Sequence, residues 1–138
     1  RNLYAFAMKS LKVMPFFSPV SWEVFKDLFT NLKTWIDPEL VMLAESADGE
    51  LIGCFFCIQD FLNTEELVLI ARSVARSPEP GWQGLGEGLM MRMYRKARQK
   101  GFQAFIHAFM PASFGITQLS HLHAGEAYKT YSLYGMGI

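Results

Sequence analysis

No charge sign prevails in this sequence: 13 Lys and Arg stand against 13 Asp and Glu, for a formal net charge of +0. Without a net field the chain lacks the electrostatic draw toward nucleic acid or an anionic membrane, so any polyanion it holds must be small and locally bound. Long apolar runs are also missing. Lys, Asp or Glu interrupts each one well short of the roughly 20 residues that span a bilayer. The start carries no charged-then-apolar leader. A cytoplasmic protein with neither nucleic acid nor membrane as partner is therefore the expectation.

Cysteine and histidine are scarce. Cys54 and Cys57 form a C-x-x-C within Leu-Ile-Gly-Cys-Phe-Phe-Cys-Ile, residues 51–58, which reads as a buried strand. Residues three apart on a strand point to opposite faces, so the two thiols are expected as core packing and not as a redox or metal pair. Of the three histidines, His121 and His123 would diverge by about 200° on a helix. No metal site is expected.

What is present suits one domain: 138 residues, 51% of them apolar and 14% aromatic, are ample for one core. Asn2–Ser10 reads as a helix, and the two prolines of residues 14–19 break the chain after it. Ser21 reads as an N-cap, with Trp22, Phe25, Leu28, Phe29 and Leu32 at helical spacing behind it and Asp37-Pro38 ending the run. Residues 40–45 and 51–59 read as a hairpin about Asp48-Gly49. Residues 66–76 read as a third strand, 86–100 as a helix closed by Gly101, and 102–108 as a short apolar strand. After a loop at Pro111, a helix over 115–123 and a strand over 127–133 are expected. The order predicts an α/β fold, a mixed sheet with helices on its faces, in a single domain without repeats or linkers.

The segment carrying chemistry is Pro78-Glu79-Pro80-Gly81-Trp82-Gln83-Gly84-Leu85-Gly86-Glu87-Gly88-Leu89, between a strand and a helix. Glycines let backbone approach a ligand and adopt positive φ, and a helix N-terminus offers unpaired N–H groups, so a diphosphate fits such a cradle. The same glycines would also serve a bare strand-to-helix packing. A Walker loop needs Lys-Ser/Thr after its last glycine, where Glu87 stands, and the dinucleotide fingerprint needs a glycine where Leu89 stands.

This segment resembles the central motif of the GCN5-related N-acetyltransferase superfamily: a strand, then R/Q-x-x-G-x-G/A opening a helix that ends in glycine. Two registers fit. One starts the motif at Gln83; the preferred one starts it at Gly81 and closes it on Gly84-Leu85-Gly86, placing Leu89, Met90, Met93, Ala97 and Gly101 at the family's apolar and terminal glycine positions. Gly81 then stands where the family has Arg or Gln. The hairpin over 48–58 resembles the family's Asp-Gly…Gly hairpin, and residues 106–110 with 131–135 resemble a bacterial branch of the same superfamily.

The resemblance implies an acyl-coenzyme A N-acyltransferase fold with acetyl-coenzyme A as donor and a small-molecule or peptide amine as acceptor. By position Val74, Ala75 and Arg76 would bond the pantetheine arm, and Gly81, Trp82, Gln83, Gly84, Leu85 and Gly86 would hold the pyrophosphate. An Arg of the basic helix would meet the 3′-phosphate. His107 is the candidate base, with Glu65 and Glu66 as an alternative through water. The family's acidic tyrosine maps onto His121, so Tyr131 or Tyr128 would have to supply a hydroxyl, and Ser113-Phe114 stand where the family's asparagine precedes that helix. Family members open with a strand ahead of the first helix, so the resemblance also implies an N-terminally truncated chain whose open sheet edge a second copy could cover as a homodimer.

Overall fold

The computed structural model describes residues 1–14, 17–108, 110, 120, 121 and 123–132. The chain divides into two compact units, Arg1–Ala108 and Phe109–Ile138. The first unit runs α1 (Asn2–Ser10), α2 (Trp22–Leu32), β1 (Val41–Glu45), β2 (Leu51–Gln59), β3 (Val68–Arg76), α3 (Leu85–Gln99) and β4 (Ala104–His107). The strands form one sheet in the order β1-β2-β3-β4, antiparallel at the first two junctions and parallel at the last. Among the described residues no helix is long and apolar enough to cross a membrane.

Local chemistry sets the element ends. Ser21 accepts the Val24 N–H on its hydroxyl at 3.3 Å and so caps α2. Asp37 accepts the Glu39 N–H at 2.9 Å, and with Pro38 it starts a short 3-10 turn that delays β1 to Val41. Asn63 accepts from both Glu65 and Glu66 N–H, which holds the loop closed and moves the start of β3 from the expected residue 66 to Val68. Gly101, at φ +83°, ends α3 in a left-handed turn, and the Phe102 N–H reaches back to the Ala97 carbonyl at 3.0 Å.

The core lies between α3 and one face of the sheet. Phe55, Cys57, Leu69, Met90 and Met93 are fully buried there, with Leu89 and Ala97 beside them. Burying each large side chain contributes about 1.5–3 kcal/mol, so this layer dominates stability. The other face carries an aromatic cluster: Phe29 of α2 stands 6.1 Å from Phe56, and Tyr4, Trp22 and Phe25 pack in sequence beyond it. α2 buries none of its residues fully, and Leu28 is half exposed.

Gly53 of β2 is where helix and sheet meet most closely. A Cβ there would lie 2.9 Å from Leu85 Cδ2 and 3.1 Å from Leu89 Cδ1, so a hydrogen is all that fits beneath the first turn of α3. The two cysteines occupy different rungs of β2, Cys54 opposite Ala75 and Cys57 opposite Ala71. Burial pushes the Cys54 thiol up to about 11 and the Cys57 thiol up to about 12.

In the second unit Ser120 and His121 are helical, and the Ser120 carbonyl accepts from His123 and Gly125 N–H at 3.1 and 2.9 Å. The helix expected over 115–123 otherwise falls mostly outside the described residues. The strand expected over 127–133 is corrected: residues 127–132 adopt no regular structure and are exposed throughout, Tyr128 at 74% and Tyr131 at 69%. Alternating Tyr, Thr and Ala suit a strand only where a ladder partner and a buried face exist, because β-propensity measures packing more than backbone preference.

Gly53→Val is expected to cost about 1–3 kcal/mol in urea unfolding, the range for overpacking a core. Both thiols are expected to react with a thiol reagent at pH 8 only after denaturation. Their raised values stabilise the fold below the unfolded value of 9.0, and that contribution is lost as pH rises from 9.0 toward 11 and 12; a fast-reacting native thiol would contradict the burial.

Candidate functional site

β3 and β4 are unequal partners. β4 pairs with Val68, Leu69, Ile70 and Ala71 only, and the last bond of the junction runs from the Ala108 N–H to the Ala71 carbonyl at 3.3 Å. β3 continues to Arg76 with, among the described residues, only β2 beside it. The sheet therefore forks at Ala71. At the same place the β2–β3 register slips, Phe56 facing Ser73 and Cys57 facing Ala71, so Arg72 bulges out of the ladder.

The phase of the hydrogen bonds past the bulge follows from Ser77, whose N–H donates to the Ile52 carbonyl at 2.7 Å. Antiparallel rungs alternate between bonded and non-bonded pairs, so Ala75 turns its N–H and C=O toward β2 while Val74 and Arg76 turn theirs to the open side of the fork. Backbone groups on such an edge need an acceptor and a donor from elsewhere. Two of the three residues assigned to the pantetheine arm thus carry free-edge geometry, and Ala75, between them, is spent on the ladder.

The loop that follows β3 is an open cradle. Gly81 has φ +103° and Gly84 φ +83°, conformations that a side chain would strain. Among the described residues a Cβ added at Gly81, Gly84, Gly86 or Gly88 would meet nothing within 4 Å, so they leave the space above these glycines clear. Gly84 is the N-cap of α3 and contributes no side-chain cap. Leu85 and Gly88 N–H bond the Trp82 and Gly84 carbonyls, which leaves the first-turn amides of Gly86 and Glu87 at the positive end of the helix dipole. Gln83 lies beside Gly81: its side-chain oxygen accepts the Gly81 N–H at 3.0 Å and pins the turn. This cradle has the clearance and the donor set a diphosphate requires.

The preferred register of the motif agrees with the packing. Leu89, Met90, Met93 and Ala97 make the buried face of α3, and Leu85 and Leu89 sit on Gly53, the second glycine of the hairpin motif. Glu79, two residues ahead of Gly81, is ion-paired with Lys9 of α1. At the far end of α3, Lys96 and Lys100 bond Glu39 at 2.6 and 2.5 Å, and Lys100 also meets Asp37 at 2.9 Å. Hydrogen bonds from Lys100 and then Lys96 pull the Glu39 carboxyl down to about 2. Two of the five basic residues on this segment are thereby engaged, and Arg92, Arg95 and Arg98 remain exposed.

His107 ends β4 opposite Ala71, at the fork. Its Nε2 lies 2.9 Å from the hydroxyl oxygen of Tyr94 on α3, a partner that sequence reasoning missed. Burial raises the Tyr94 phenol above its usual value, with Cys57 nearby adding to the effect. His121 and Tyr131 belong to the second unit, where both are exposed. Glu65 and Glu66 are exposed in the loop ahead of β3, at the opposite end of the strand from the cradle. On α2, a shallow apolar groove of about 290 Å³ is lined by Leu3, Trp22, Phe25, Lys26, Phe29, Thr30 and Lys33.

No protein-family model and no curated protein sequence matches the chain. Solved structures do. A protein described as a "probable acetyltransferase" superposes with a TM-score of 0.72 at 13% identity, over 99% of this chain and 89% of its own. Aminoglycoside antibiotic 6'-N-acetyltransferase AAC(6')-Ih from Acinetobacter baumannii gives 0.67 at 15% identity, over 99% and 90%. AAC(6')-Iy, solved in complex with a bisubstrate analogue, CoA-S-monomethyl-acetylneamine, gives 0.64 at 13% identity, over 99% and 90%. The sheet order, the fork and the glycine cradle, together with these superpositions, show that this chain shares the fold of these acetyltransferase structures.

Proposed function

We propose that this protein is an N-acyltransferase that moves an acetyl or other acyl group from coenzyme A to a primary amine. The observation that carries the reading is the continuity of a free β3 edge, Val74 and Arg76, with an open cradle of first-turn amides at Gly84-Leu85-Gly86. One long polar ligand with a diphosphate at one end uses both. The likeness to an acetyltransferase solved with a coenzyme A conjugate supports the donor.

In this reading the diphosphate lies on the Gly86 and Glu87 amides, with Gly81, Trp82 and Gln83 forming the near wall. The pantetheine arm runs back along Val74 toward Ala71, and its thioester reaches the fork beside His107. Catalysis is then mainly positioning: a neutral amine held against the thioester carbonyl attacks it directly, the thiolate leaves, and His107 takes the proton released by the nitrogen. The departing thiolate then takes a proton from water. The apolar groove on α2 supports an apolar acceptor: its charged lining residues are Lys26 and Lys33, which would repel a polycation.

Calorimetric titration with acetyl-coenzyme A tests the donor, and thiol release with a panel of apolar amines tests turnover. Micromolar binding is expected; no binding by the chain would overturn the assignment. Gly86→Glu separates the ligand from the fold. A Cβ there meets no atom of the described residues within 4 Å, and replacing a helical glycine gains up to about 0.5–1 kcal/mol. Its thermal midpoint is therefore expected to hold or rise while affinity for acetyl-coenzyme A falls at least about tenfold, or about 1.4 kcal/mol.

A further inference from the structure

We propose that Tyr94 is a positioning residue for His107, holding the imidazole in one orientation while it gains and loses a proton at the fork. The inference rests on the acyltransferase reading for its purpose and on the side-chain geometry for its substance.

Three observations place the pair. His107 stands opposite Ala71, the last rung before β3 and β4 part. From Arg76, next to the cradle, back to Ala71 is five residues, about 17 Å at 3.3–3.4 Å per residue, the order of length of an extended pantetheine arm. A thioester at the end of that arm would lie beside His107. On the α3 side, Tyr94 brings its hydroxyl to 2.9 Å from Nε2, with the two rings only 7° from parallel. Phe105 locks the arrangement, meeting Tyr94 edge-on at 4.7 Å and 86° and His107 edge-on at 5.3 Å and 84°.

The chemistry of the partner matters. A phenol oxygen accepts from Nε2–H in the neutral ring and in the imidazolium alike, so the bond survives either protonation state and the proton taken up at the fork enters at Nδ1. A carboxylate would favour only the charged form, and an apolar neighbour would leave Nε2 without this partner in a half-buried site. A hydroxyl therefore suits a ring that must cycle, and the edge-on contact with Phe105 keeps the phenol from turning away.

Tyr94→Phe retains the ring against Phe105 and removes the hydroxyl, so the fold is expected to persist, with an unchanged far-ultraviolet circular dichroism spectrum and thermal midpoint. The whole chain, labelled with ¹⁵N-histidine, reports the ring nitrogens directly, and His107→Gln assigns the signals. Wild type is expected to show His107 in one dominant tautomer and Tyr94→Phe a redistributed one. In steady state, Tyr94→Phe is expected to lower kcat about tenfold and leave KM for acetyl-coenzyme A within about twofold. Unchanged His107 ring signals in Tyr94→Phe would overturn the proposal, and so would a changed spectrum with an unchanged kcat. Failure of the acyltransferase reading shows separately, as wild-type protein that binds no acetyl-coenzyme A.

Discussion

The site depends on a mismatch in length: β3 is nine residues long and its parallel neighbour β4 is four. A parallel ladder that stops at Ala71 leaves the rest of β3 with backbone groups on one side that no strand of the described residues covers. In an ordinary sheet such an edge invites association. Here the bulge at Arg72 turns the chain where pairing ends, and the strand leads within a few residues into the cradle ahead of α3. One strand thus supplies a polar groove and delivers the chain to an anion-binding helix start.

For that helix start to be useful it must be held at a fixed distance from the fork, and packing does most of the holding. Leu85 and Leu89 rest on the bare backbone of Gly53, while Met90, Met93 and Ala97 bury against the sheet. Each large apolar side chain is worth about 1.5–3 kcal/mol. The ion pairs at the other end, Lys96 and Lys100 with Glu39 and Asp37, lie at the surface, where solvent screening leaves them a small contribution. They set the pitch of the helix end more than the stability. The low Glu39 value means that their small contribution is present above the usual carboxylate range and fades as pH falls from 4.5 toward 2.

Electrostatics around the cradle is arranged locally, in keeping with a chain of zero formal net charge. The Glu79 carboxylate, two residues ahead of Gly81, has Lys9 from α1 against it, which quenches a charge that would otherwise repel a diphosphate. Gln83 works at still closer range, its amide oxygen holding the Gly81 N–H so that the left-handed turn keeps its shape.

By itself the sequence determined the order and type of the helices and strands of the first unit, because their signals are local. Ser21 caps its own helix, Asp48-Gly49 makes its own turn, and Gly101 ends α3 through its own φ. The glycine cradle was legible for the same reason, since positive φ and spacing are written in adjacent residues. What needed the tertiary structure were relations between residues distant in sequence. The fork depends on where β4 happens to stop against β3, the role of Gly53 on a helix that arrives more than 30 residues later, and the Tyr94–His107 bond on a helix and a strand packing face to face. The stretch 127–132 shows the converse: an alternating pattern promised a strand, and without a ladder partner and a buried face it formed none. Periodicity declares which residues could share a face, but only packing decides what that face meets.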